Sequence, residues 1–175
     1  LDLEGFTELS ERLAPETLVR TLNQFYAAAA LPLAKHDGVI NQFQGDAILA
    51  TFNAPRLNPD HAANAIRAAL EIQKLLEAQT FGDGLVLRAR IGINTGVVIH
   101  GLIGTPDRLG YTVIGDEVNI AARLEALNKD YGTSIIVSEP TRDRAGPERF
   151  AFALLDEARV RGRTTPTRIY EVAAA

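Results

Sequence analysis

Two aspartates that stand near glycines are the residues of this chain whose positions first suggest chemistry. Asp2 precedes Gly5 in an apolar-acidic opening run, and Asp46 directly follows Gly45. The Gly45-Asp46 pair separates two runs in which apolar residues alternate, and this pattern predicts a tight hairpin turn. Taken singly, both aspartates are also compatible with solvated surface positions, so their chemistry depends on whether the fold brings them together.

Helical and strand periodicity predict where the chain places these carboxylates. Long amphipathic helices are predicted over 15–35 and 61–78, and a third over about 116–130. The full order is β-α-β-β-α-β-β-α-β-β-β, with residues 105–111 predicted as a turn or loop. We therefore expect an α+β domain with a ferredoxin-like βαββαβ core, extra C-terminal α/β elements, and helices packed on a mostly antiparallel sheet.

The expected topology makes the first and third strands neighbours, which would bring Asp2 and Asp46 to one edge of the sheet. Two adjacent carboxylates repel each other unless a proton or a divalent cation neutralises them. Oxygen ligands favour Mg²⁺ or Mn²⁺, and Mg²⁺ commonly combines one or two carboxylates with phosphate oxygens. Gly5 lies at the expected start of a helix, where backbone N–H groups can bind an anion. Together these features could hold a metal–triphosphate.

Two further groups of polar residues each have an ordinary and a functional interpretation. Asn119 and Arg123 are four residues apart and share one face of the third helix. Arg123 could form an ion pair at the helix edge, or it could be a donor aimed at phosphate charge in a transition state. Arg159, Arg161 and Arg163 alternate along a strand, either as solvated edge charges or as a phosphate clamp.

Composition excludes several classes of protein. The 175 residues suit a single domain over 1–175, and the contents of 46% apolar and 23% charged residues are typical of globular proteins. A net charge of −4 gives no electrostatic reason to expect nucleic-acid binding. The absence of cysteine excludes disulfides and thiolate catalysis, and no apolar run is long enough to span a membrane. Because methionine is also absent, we expect a fragment of a longer chain with a truncated first strand.

Several motifs, in order along nearly the whole chain, resemble those of the class III nucleotidyl cyclases, the adenylate and guanylate cyclases. The segment "LDLEGFTELSE" resembles the first metal motif of that family, and "FQGDAILATF" resembles the second. The longest match is "GINTG" followed by "GLIGTPDRLGYTVIGDEVNIAARLE", and "VRGR" resembles the basic phosphate-contact segment. The resemblance implies a signalling enzyme that forms a 3′,5′-cyclic nucleotide and pyrophosphate from a nucleoside triphosphate.

The resemblance also implies how the first two motifs act. Asp2 and Asp46, with the backbone of Leu3, would bind two divalent metal ions per site, Mg²⁺ or Mn²⁺. The phosphates would be bound by the glycine and the helix start that follow the first strand, namely Gly5, Phe6 and Thr7.

The later motifs are implied to act on the ribose and on the transition state. Asn119 would orient the ribose, and Arg123 would stabilise the transition state. Arg161 best matches the terminal phosphate clamp, with Arg163 as the alternative. Family members are dimers in which one chain supplies the metal carboxylates and the other supplies the base, ribose and transition-state residues. Since this chain carries both sets, the resemblance implies a homodimer with two equivalent sites.

The substrate base depends on two positions of the matched motifs, Gln42 and Thr112. Adenylate cyclases usually carry Lys and then Asp or Thr at these positions, whereas guanylate cyclases usually carry Glu and a small residue. The amide of Gln42 can donate or accept a hydrogen bond, so GTP or mixed specificity is an alternative. Thr112 is compatible with adenine, and we expect ATP as the substrate.

A third alternative is a regulatory domain that binds nucleotide without turnover. In every case regulatory domains are expected elsewhere in the full chain. This domain is expected in the cytoplasm, with no membrane contact and no nucleic-acid partner of its own.

Overall fold

Strands and helices alternate through residues 1–158 and 167–173, which are the residues that the computed structural model describes. The strands are β1 (Asp2–Leu3), β2 (Val39–Gln44), β3 (Ala47–Thr51), β4 (Ala89–Ile93), β5 (Ile99–Thr105), β6 (Arg108–Ile114), β7 (Ile135–Ser138), β8 (Phe152–Ala158) and β9 (Thr167–Val172). The helices are α1 (Phe6–Arg12), α2 (Pro15–Lys35), α3 (His61–Ala78), α4 (Asp116–Tyr131) and α5 (Glu139–Ala145).

Strand β1 joins the two halves of the sheet. It pairs antiparallel with β4, so that Asp2 lies opposite Arg90, and the sheet continues in the order β1-β4-β7-β9-β8. On the other side of β1, the N–H of Ile48 donates to the carbonyl of Leu1 at 2.9 Å, and the nitrogen of Leu1 donates back at 3.2 Å. These bonds attach the antiparallel β2–β3 hairpin to β1. The resulting order β2-β3-β1-β4 is that of the predicted ferredoxin-like core.

Helices cover both faces of this sheet. Helices α2, α3 and α5 pack on one face, where Leu3 of β1 and Phe25 of α2 belong to the main apolar core. Helix α4 packs on the other face through Ile120 and Leu124, which form a second core with Ile136 of β7. Within the described ranges, no helix combines the length and the apolar character that crossing a membrane requires.

Some predicted elements agree with the structure and others do not. Helices α2 and α3 have the bounds expected at 15–35 and 61–78, because their apolar periodicity is strong. The turn predicted over 105–111 is confined to residues 106–107, since β6 begins at Arg108 and pairs with β5 along its whole length. Helix α5 is missing from the predicted order because seven mostly polar residues carry too little periodicity. The segment 159–166, which connects β8 to β9, lies outside the described residues.

Helix α4 and strand β4 approach each other closely at Gly92. A side-chain carbon added at Gly92 would stand 2.2 Å from the carbonyl oxygen of Ala121 and 2.3 Å from the amide nitrogen of Glu125. Both are backbone atoms, so no change of rotamer could make room for it. Glycine at this position therefore sets the distance between β4 and the helix that carries Asn119 and Arg123.

We expect Gly92→Ala to lower the free energy of unfolding by about 1–3 kcal/mol, the usual cost of overpacking. The added carbon would push α4 away from β4. The matched control is Gly101→Ala, because nothing lies within 4 Å of a carbon added there. It should change the stability by no more than about 0.5 kcal/mol. Urea unfolding followed by circular dichroism measures both variants, and equal stabilities would contradict the packing argument.

Candidate active site

The structure brings Asp2 and Asp46 together, as the topology predicts. Asp2 lies on β1, and Asp46 lies in the turn between β2 and β3, the strand that bonds to β1. Burial and then the nearby charge of Asp2 raise the pKa of the Asp46 carboxyl. Hydrogen bonds from the backbone of Asp46 itself and of Leu3 act in the opposite direction and lower it. The negative charge of Asp2 is therefore close enough to disfavour ionisation of the Asp46 carboxyl.

Arg90 and Glu125 complete this charged group, and the sequence interpretation did not include them. The Nη2 atom of Arg90 lies 3.8 Å from Oδ2 of Asp2, and its Nε atom lies 3.2 Å from Oε1 of Glu125. Only 18% of the Arg90 side chain and 16% of the Glu125 side chain are exposed, so solvent screens this pair poorly. Nε and Oε1 are not aligned for a hydrogen bond, which makes the attraction mainly Coulombic.

Carboxylates outnumber guanidinium groups in this charged group. Burial raises the pKa of Glu125, the charge of Asp2 raises it further, and Arg90 lowers it. The three carboxylates of Asp2, Asp46 and Glu125 against one guanidinium leave a formal side-chain charge of −2. The sequence signal for Arg90 is that it interrupts the apolar residues of β4. Its place opposite Asp2 follows only from the pairing of β1 with β4.

The donor set at this edge fits Mg²⁺ or Mn²⁺ bound with a substrate phosphate. Among the described residues, no group of three or more His, Cys, Asp or Glu side chains could hold a metal ion by itself. Mg²⁺ commonly takes one or two carboxylates and completes its coordination with water and phosphate oxygens. Asp2 and Asp46 provide those two carboxylates, in a region whose net negative charge favours a divalent cation.

Helix α1 begins next to this pair. Leu3 is buried, and Gly5 adopts a left-handed conformation with φ of 66° that turns the chain from β1 into the helix. The first N–H groups of a helix have no intrahelical partner, and no side chain caps this end of α1. The N–H groups of Phe6 and Thr7 thus lie where the sequence predicts a phosphate site.

The two positions expected to select the base lie on neighbouring strands. Gln42 is exposed on β2, opposite Leu49, just after an irregularity in the β2–β3 register. Thr112 is half-buried on β6, opposite Gly101 of β5. Strands β2 and β6 contact each other, so the two residues lie on elements that are adjacent in the fold.

The ribose and transition-state candidates stand one turn apart on α4. Asn119 is exposed, whereas Arg123 is half-buried. A cavity of about 1020 Å³ is lined by Asn119 together with Asp2, Gln44 and Glu125 among other residues. Asp46, Arg123, Gln42 and Thr112 are not among its lining residues.

The predicted phosphate clamp cannot be placed. Both Arg161 and its alternative, Arg163, lie outside the described residues.

A partly buried network of polar side chains fixes the start of α4. The side-chain amide nitrogen of Asn94 donates to the backbone carbonyl oxygen of Glu117 at 3.0 Å and to Oε2 of the same residue at 2.7 Å. The hydroxyl of Ser138, which is fully buried, donates to Oδ1 of Asn94 at 2.7 Å. The end of β4, the end of β7 and the first turn of α4 therefore hold one another in place.

Known proteins of one family match this chain along its length. The family model "Adenylate and Guanylate cyclase catalytic domain" matches residues 1–173. Adenylate cyclase 1 of Rhizobium meliloti is 41% identical over 175 residues, covering 98% of this chain and 26% of that protein. The crystal structure of the guanylate cyclase domain of RhGC from Catenaria anguillulae with GTP has a TM-score of 0.89 at 29% identity, covering 99% of this chain and 92% of that one. The adenylyl cyclase CyaB from P. aeruginosa has a TM-score of 0.86 at 30% identity, covering 99% and 91%.

The chain belongs to the family of adenylate and guanylate cyclase catalytic domains. The resemblance stated from the sequence motifs is confirmed. The chain spans about a quarter of the length of the Rhizobium relative. Solved cyclases of the two types are similar to this chain to nearly the same degree, so the fold alone does not select between adenine and guanine.

We expect Arg90→Gln to destabilise the protein by roughly 2 kcal/mol near neutral pH, because it removes the cation among three carboxylates. A carboxyl whose pKa is higher in the folded state than in the unfolded state destabilises the fold when it is ionised. This cost disappears as the carboxyl becomes protonated. Loss of Arg90 raises the pKa of Asp46 and Glu125 further, so the deficit should shrink as the pH falls toward their unfolded values of about 4.

Urea unfolding between about pH 4.5 and 8, a range that begins just above the unfolded carboxyl pKa values, measures this deficit. Arg88→Gln is the matched control, because Arg88 is exposed on the same segment of chain. A deficit for Arg90→Gln that does not change with pH would contradict the electrostatic account of this cluster.

Proposed function

We propose that this domain converts ATP into 3′,5′-cyclic AMP and pyrophosphate at a site completed by two copies of the chain. The observation that carries the proposal is the convergence of Asp2 and Asp46 in a region of net negative charge, within a cyclase catalytic domain. A cyclic nucleotide product implies a role in signal transduction, and an ATP substrate implies a cytoplasmic location for this domain.

Asp2 and Asp46, with the backbone carbonyl of Leu3, would hold two divalent cations, Mg²⁺ or Mn²⁺. Bound there, such cations would lower the pKa of the ribose 3′-hydroxyl and neutralise charge on the triphosphate. Arg90 would keep the carboxylates close together while the site is empty. Arg161 is the proposed clamp for the terminal phosphate.

The reaction forms a bond from the ribose 3′-oxygen to the α-phosphorus and breaks the bond from that phosphorus to the bridging β-phosphate oxygen. Pyrophosphate leaves with the electron pair, and the 3′-hydroxyl proton passes to solvent. The N–H groups after Gly5, at Phe6 and Thr7, would bind phosphate oxygens. Asn119 would orient the ribose, and Arg123 would offset the charge that develops at phosphorus, by about 3 kcal/mol.

The β5–β6 hairpin supports a homodimer with shared sites. In the described part of the chain these two strands pair only with each other, and an isolated two-stranded hairpin is marginal in water. It nevertheless exposes apolar side chains, with Leu102 68% and Leu109 55% accessible. Burial of this hairpin against a second copy would remove that apolar surface from water. Regulatory domains are proposed elsewhere in the full chain, since a relative is about four times as long.

A guanylate or mixed-specificity cyclase is the second candidate, and Gln42 is the residue that favours it. A neutral amide offers both a donor and an acceptor, so it can be satisfied by either purine. Hydrogen bonds between neutral groups contribute about 1 kcal/mol, against roughly 1.5–3 kcal/mol where one partner is charged, so discrimination should be weak.

Purified protein with Mn²⁺ and either ATP or GTP should form cyclic AMP in excess over cyclic GMP, as measured by chromatography. Asp46→Asn should lower the rate by more than about 100-fold, because even an outer-shell partner of a metal ligand contributes 10–100-fold. Asp130→Asn, a change at an exposed carboxylate on α4, should leave the rate unchanged. Absence of both products at high protein concentration would instead favour a domain that binds nucleotide without turnover.

Asp46→Asn and Arg123→Ala should each be inactive alone and should recover activity when mixed. In random exchange half of the dimers are mixed and contain one intact site, so about a quarter of the wild-type activity should return. Size-exclusion chromatography establishes that the variants form dimers. If exchanging dimers recover no activity, the shared-site arrangement is wrong.

A further inference from the structure

The turn that carries Asp46 receives little support from the rest of the chain. Gly45 has a φ of 62°, and a side-chain carbon added there would meet nothing within 4 Å. Its attachments to the sheet are the hydrogen bond from the backbone of Leu3 to the Asp46 carboxyl and, two residues farther along the chain, the pair of backbone bonds between Ile48 and Leu1. The position of the Asp46 carboxylate therefore also depends on the contacts that hold the backbone of this turn.

Tyr26 of α2 provides such a contact. Its hydroxyl donates a hydrogen bond to the carbonyl oxygen of Gly45. Its ring lies 4.4 Å from the ring of Phe43 on β2, measured between centroids, with an angle of 42° between their planes. On the other side, its ring is 5.8 Å from that of Phe25, which is fully buried in the main core. A continuous series of aromatic contacts thus connects the core to the turn.

We propose that Tyr26 is a positioning residue that holds the Gly45–Asp46 turn so that the Asp46 carboxylate stays beside Asp2, ready for a divalent cation. The inference rests on the proposed metal site. Tyr26 acts through the carbonyl of Gly45 and does not itself contact the substrate. Phenylalanine would keep the ring contacts with Phe43 and lose only the hydrogen bond.

The hydroxyl contributes to position more than to overall stability. The carbonyl of Gly45 lies at an exposed turn, so water can replace the tyrosine hydroxyl as its donor once that hydroxyl is removed. A water molecule is not anchored to α2, however, and would leave the turn free to move. Tyr26→Phe should therefore change the urea midpoint little while it loosens the turn locally.

Two measurements on the 175-residue chain test this inference. The first is titration with Mn²⁺ alone, with free Mn²⁺ followed by electron paramagnetic resonance. The second is hydrogen exchange of the amides over 44–47. Tyr26→Phe should weaken Mn²⁺ binding about fivefold, the equivalent of one neutral hydrogen bond, and speed exchange at the turn by a similar factor. Tyr131→Phe is the matched control, because its hydroxyl bonds to Asp156 at 2.8 Å, away from the turn.

The outcomes separate this inference from the proposed function. Weaker binding and faster exchange in Tyr26→Phe, with neither change in Tyr131→Phe, would support it. Binding that Asp46→Asn abolishes and Tyr26→Phe leaves intact would overturn the positioning role alone. If the wild type binds no Mn²⁺, or Asp46→Asn binds as well as the wild type, the metal site fails and the inference fails with it.

Discussion

Asp2 and Asp46 bring two negative charges together, and burial further disfavours ionisation of Asp46, so the surrounding residues must offset this repulsion. Arg90, which lies on the strand opposite Asp2, offsets part of the negative charge. Glu125 also attracts its guanidinium. This balance remains incomplete, because three side-chain carboxylates face one guanidinium. The fold thus maintains a local excess of negative charge. A divalent cation that also coordinates a triphosphate can neutralise part of this charge.

The sheet and α4 make this arrangement possible through backbone contacts. β1 lies between β3 and β4, so it places Asp2 between the Asp46 turn and Arg90. Gly92 lets α4 approach β4 closely enough for Glu125 to reach Arg90. The charged group therefore combines residues from two strands, a turn and a helix, and apolar packing elsewhere holds the strands and the helix in place.

The sequence predicts the parts of this protein that depend on local pattern. Helices α2 and α3 have strong periodicity, and the Gly45-Asp46 dipeptide identifies its turn by backbone conformation alone. The turn predicted over 105–111 occupies only residues 106–107, because the residues after it continue as the second strand of a long hairpin. Arg90 and Glu125 were missed because they are distant in sequence and meet only when α4 packs on β4. The contact between the Tyr26 hydroxyl and Gly45 was overlooked because the two residues are distant in sequence. Helical periodicity reveals only the apolar face of Tyr26.

The exposed hairpin β5–β6 has a consequence for how such a domain can be controlled. When two copies must meet to complete a site, output depends on their effective concentration rather than on any change at the nucleotide. A tether that brings two hairpins within reach would raise turnover, and a tether that separates them would lower it. Control could therefore be exerted from a distance through geometry alone, with the carboxylates and α4 unchanged in each copy.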